Sequence, residues 1–195
     1  VNAPGRTVDD VRAYLLDQIG RALRRPSAYG GEVSLILLFR VLAFTDCREQ
    51  QREEELAALQ AREASGAAMV IGRVTAALGS RDTNAMASVY TEAAYRQGWL
   101  SLDRALPPDE YEHVRQTARP WCAEDRQLSD LLAEFGEPSV RWPTSEGCLG
   151  YGTANPADPL VFFHLKGSVL LATRFGDGDF FAGFTYTPAG KALRG

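Results

Sequence analysis

The chain has 195 residues, 45% hydrophobic and 24% charged, an ordinary globular balance with length for one sizeable core or two smaller ones. A formal net charge of -4 and an isoelectric point near 5.3 give no general attraction to nucleic acid or anionic lipid, so no nucleic-acid partner is expected. The densest apolar run, Val33 to Phe44, is broken by Arg40 and is too short for the roughly 20 residues of a membrane span. No membrane partner is expected, and cytoplasm is the default compartment because residues 1–10 lack the basic and apolar regions of a secretory signal.

Cys47, Cys122 and Cys148 are scattered and odd in number, with no paired spacing. They read as free thiols, and with His113 and His164 in separate elements no metal or other cofactor is expected. All basic residues but Lys166 and Lys191 are arginine, a usage that fits a GC-rich actinobacterial genome.

Thr7 is a good N-cap, with Asp9 and Asp10 in the first turn and Val8, Val11, Leu15 and Ile19 at helical spacing, so a first helix should run to about Arg24. Arg25 to Gly31, with Pro26 and two glycines, breaks it. From Glu32 to Cys47 apolar residues occur nearly all round, which predicts a helix buried on most sides. Its continuation, Arg48 to Ala64, has Leu56 and Leu59 as its large apolar residues and reads as a solvated helical arm.

Further helices are predicted over Ala67 to Leu78, Asn84 to Gln97, from Pro108 through Val114, and Asp125 to Phe135, with Asn84 as cap of the second and the acidic pair Glu124-Asp125 opening the last. After Pro138 the signal becomes short β-rich runs: Ser139 to Trp142, Cys148 to Gly152, Leu160 to Leu165, Val169 to Phe175 and Phe180 to Thr187. Connections this short cannot hold crossover helices. The expected fold is therefore α+β, one domain over 1–195 whose mainly helical part (1–137) packs on an antiparallel meander (138–195), with helices on one face of the sheet.

A four-residue hairpin at Gly176 to Asp179 would pair Phe175 with Phe180, placing Thr173, Phe175, Phe184 and Tyr186 on the core face. A three-residue loop at Lys166 to Ser168 would add Val161, Phe163 and Leu165 to it. The opposite face would then expose Leu160, Phe162, His164, Leu170, Arg174, Phe181 and Thr185, an aromatic-rich patch suited to binding.

Local motifs are weak. Tyr29-Gly30-Gly31 could offer backbone N–H groups to an anion, but turn glycine is the commoner use and no phosphate-loop lysine follows. His164 has an acid-base candidate's pKa but no nucleophile beside it. Asp177 and Asp179 suit a turn and lack the rest of a calcium loop.

Taken together, Arg25 to Gly31, Ser88-Val89-Tyr90 through Gln97-Gly98-Trp99-Leu100, Trp121 to Arg126, Phe135-Gly136-Glu137-Pro138-Ser139 and Phe184 to Pro188 resemble uncharacterised proteins of actinobacteria. The helix ending at Gly136-Glu137-Pro138 with its following meander is similar to the helix-plus-sheet unit of the beta-lactamase-inhibitor-like fold, which implies protein binding. The expected function is non-enzymatic protein binding, as an inhibitor or immunity protein, through Phe162, His164, Arg174, Phe181 and Thr185. The alternative is a small-molecule-binding protein or unusual enzyme with a pocket between helices and sheet, involving Tyr29, Tyr151, His164 and Arg174.

Overall fold

The computed structural model describes residues 7–50, 69–142, 147–176 and 183–194. The expected arm at Arg48 to Ala64 falls almost wholly outside them, as does Phe181. The fold is α+β. Helices α1 (Val8–Arg24) and α2 (Gly31–Thr45), joined by a 3-10 turn at Pro26–Tyr29, precede α3 (Val70–Leu78), α4 (Thr83–Arg96), α5 (Pro108–Trp121) and α6 (Leu128–Phe135). Strands β1 (Val140–Trp142), β2 (Cys148–Tyr151), β3 (Val161–Lys166), β4 (Val169–Phe175) and β5 (Phe184–Tyr186) form an antiparallel meander in that order, and α7 (Pro188–Arg194) closes the chain.

Capping explains where the helices start. Thr7 Oγ1 accepts from the Asp10 N–H at 3.1 Å and the Asp10 carboxylate accepts from the Thr7 N–H at 2.8 Å, a reciprocal capping box. Asp82, not Asn84, caps α4, its Oδ1 accepting from the N–H groups of Asn84 and Ala85. At α3 the cap comes from elsewhere in the chain: the buried Glu32 carboxylate accepts from the N–H groups of Val70 and Ile71 and from the Tyr90 hydroxyl. A carboxylate suits the positive end of a helix. Trp121 ends α5, and Glu124-Asp125 open no helix; α6 begins at Leu128 behind a capping box made by Gln127 and Asp130.

The sheet is covered on both faces, which corrects the one-sided arrangement expected from sequence. On one side Val140, Trp142, Cys148, Leu160, Phe162, Ala172 and Phe184 join a core with Leu15, Ile19, Leu35, Phe39, Leu42, Val74 and Met86 of the first four helices. On the other, Leu149, Tyr151, Val161, Phe163, Leu165, Leu170 and Phe175 pack with Tyr111, Val114 and Ala118 of α5 and Leu131 and Phe135 of α6. Alternation along each strand thus feeds two cores.

Two registers also differ from expectation. Val161 and Phe163 pair with Phe175 and Thr173, and Lys166 with Val169 across a two-residue turn, a bulge between His164 and Leu165 absorbing the odd residue. Val161, Phe163 and Thr173 share a face as expected with the register shifted by two, but the bulge turns Leu170, expected beside Phe162 and His164, to the opposite face, where it pairs with Leu165. In the next hairpin Arg174 pairs with Phe184 and Thr173 with Thr185, and the Phe175 N–H bonds the Gly183 carbonyl. The connection is longer than four residues, and the shift of three residues, an odd number, puts Phe184 on the face of Arg174 and Thr185 on the opposite one.

The C-terminal helix has no counterpart in the sequence reading. It is held by backbone approach: Thr187 donates its N–H to Leu171 O and its hydroxyl to Leu170 O, and Asp125 Oδ1 accepts from the Ala189 N–H. A Cβ on Gly190 would lie 1.9 Å from Leu171 O, whereas one on Gly20 in α1 would meet nothing nearer than Arg24 at 3.7 Å. Gly190→Ala should therefore destabilise the fold by about 1–3 kcal/mol or more, while Gly20→Ala should stabilise it by roughly 0.5–1 kcal/mol. Urea unfolding of both variants checks this, and an innocuous Gly190→Ala would contradict the docking of α7 on β4.

Candidate functional site

The residues expected on an open sheet face are mostly inside. Phe162, His164 and Leu170 are fully buried and Arg174 is 4% exposed. Phe162, His164 and Arg174 do lie together, on the side facing α4. Thr185 is half-buried on the other side of the sheet, paired with Thr173. Tyr151 is also on that other side, its hydroxyl donating to Gly136 O at 3.0 Å and its ring meeting Phe135 and Phe163. Tyr29 is half-buried in the turn between α1 and α2, against the first core. No common pocket is formed by Tyr29, Tyr151, His164 and Arg174.

Sequence reasoning missed the partners that α4 and β2 bring to this seam. The Arg174 guanidinium donates to Ser88 Oγ at 3.1 Å and lies 4.5 Å over the Phe162 ring. Glu92, one turn after Ser88, accepts from the Leu160 N–H and from Arg96, which also donates to Gly176 O. His164 sits between the rings of Phe162 and Phe184, opposite Cys148 in the β2–β3 register. Neither ring nitrogen of His164 has a hydrogen-bond partner among the described residues.

Burial decides the protonation states. It lowers the His164 pKa to about 3, with the neighbouring Arg174 charge adding to the effect, so the imidazole is neutral. Burial pushes the Cys148 thiol well above its ordinary value and lowers Arg174 to about 10 against the pull of Glu92. Desolvation also raises the Glu92 carboxyl, although both arginines oppose it. An activated cysteine needs a lowered thiol pKa and a base free to take its proton. Here both groups are driven to their neutral forms and both are buried, so the Cys148–His164 pair lacks the features of an activated cysteine.

Open clefts indent the surface of the described residues, of which two are the best formed. One, of about 450 Å³, lies between α1 and residues 98–103, and its arginines are already paired, Arg21 with Asp17 and Arg24 with Asp103. The other, of about 430 Å³, is lined by Arg96, Pro156, Ala157 and Pro159, and Arg96 is held by Glu92. Among the described residues no group of three His, Cys, Asp or Glu side chains is placed to hold a metal ion, and no helix is long and apolar enough to cross a membrane.

What does stand out is the outward face of α2, which the expectation of a helix buried on most sides did not foresee. Leu35, Phe39, Leu42 and Ala43 are buried, but Val33 is 56% exposed, Leu37 54%, Val41 44% and Phe44 70%. These four lie at i, i+4, i+8 and i+11, one stripe of a helix, with the exposed Arg40 at its edge. At the Phe44 end, Arg12 of α1 donates to Asp46 at 2.7 and 3.1 Å, and Trp99 Nε1 donates to the same carboxylate at 2.9 Å. This brings the first turns of α1, with Val8 and Val11 also exposed, to the same end. The Arg12 charge and hydrogen bonds hold the Asp46 carboxyl below its usual value.

No family model, no curated protein and no solved structure matches this chain.

The buried seam makes two measurable statements. With its folded pKa below the unfolded value of 6.5, His164 contributes stability that is complete above about pH 6.5 and is lost as pH falls towards 3. Glu92, raised in the fold, acts in the opposite sense, its contribution being lost as pH rises. His164→Leu should therefore flatten the acid limb of a stability-pH profile measured by urea unfolding, and at pH 7 should be neutral or stabilising by about 1 kcal/mol. Arg174→Ala should cost on the order of 3 kcal/mol, since it strips a buried charge from beside Glu92. A nearly wild-type Arg174→Ala protein would restore the open-face reading.

Proposed function

We propose that this is a non-enzymatic protein-binding protein whose recognition surface is the apolar face of α2, extended by the first turns of α1, in place of the sheet. The observation that carries this is the placement of Val33, Leu37, Val41 and Phe44. Seven of the nine large apolar residues exposed among the described residues belong to α1 or α2. Singly exposed apolar residues are ordinary, but a stripe of them along one helix is the form a helix-docking surface takes.

The state of the polar groups supports the same reading. Cys148, Tyr151, His164 and Arg174 of the sheet are buried, and the arginines of both clefts are held in ion pairs, Arg21 with Asp17, Arg24 with Asp103 and Arg96 with Glu92. An inhibitor or immunity protein is one form such a binder takes.

A photo-reactive residue placed at Leu37 or Val41 should cross-link a defined protein, another copy of this chain included, whereas the same probe at the exposed Glu112 on α5 should not. With the captured protein purified, Leu37→Asp should weaken binding about 30-fold or more, the loss expected at a hot spot, with the thermal midpoint unchanged. Equal capture at both positions, or binding indifferent to Leu37→Asp, would remove this surface from consideration.

A further inference from the structure

We draw no further inference here: the strongest candidate, the outward apolar face of α2 with Val33, Leu37, Val41 and Phe44 exposed, names no occupant, because nothing in the structure shows what covers it and the stripe alone falls short of the area a specific dimer needs.

Discussion

Burial of β3 and β4 on both faces is the constraint on which the rest of the structure depends. Every residue from Val161 to Leu165 and from Leu170 to Phe175 is withdrawn from solvent. The first four helices must therefore cover one side and the α5–α6 pair the other, each supplying its own core. The backbone of the α5–α6 connection is tied to the start of β4, with Leu128 donating to Ser168 O and Leu170 to Arg126 O. Two-sided burial also explains the C-terminal helix, whose glycine permits close approach to the unpaired Leu171 beside the bulge.

The same constraint dictates the chemistry of the seam under α4. A histidine and an arginine on a two-sided strand have no route to water, so each is stable only in the state its surroundings tolerate. Arg174 keeps its charge because Ser88, Glu92 and the Phe162 ring surround it, and His164 gives its charge up because the nearest charge is Arg174. Groups so committed hold the layers in register. The surface left to meet other molecules is where the helices face outward, and on α2 that surface is apolar.

Much of the fold was legible in the sequence, and the misplaced site has an identifiable cause. Capping and breaker residues located most helices, and the glycine and proline clusters after Pro138 located the strands. The two-sided sheet was also written there: Leu160-Val161-Phe162-Phe163 is a continuous apolar run, which marks a strand buried on both faces, and a helical sequence between Pro108 and Phe135 needed a surface of its own. Reading alternation into that run assigned one face to water. Register compounded the error, because a bulge at His164 and a hairpin of unexpected length are properties of tertiary pairing that a single sequence does not count. For α2 the difficulty was the reverse: apolar residues on every side admit either full burial or a buried face backed by a binding face. Glu32, which caps a helix 38 residues away, carried no local signal at all.

The central claim is that the sheet is enclosed and the outward face of α2 is open. Methyl NMR of dilute, monomeric protein with a soluble paramagnetic chelate tests it most directly. The methyl signals of Leu160, Ala172, Val161 and Leu170, from the two sides of the sheet, should be nearly unaffected, and those of Val33, Leu37 and Val41 strongly broadened. Broadened sheet methyls together with protected α2 methyls would contradict the account.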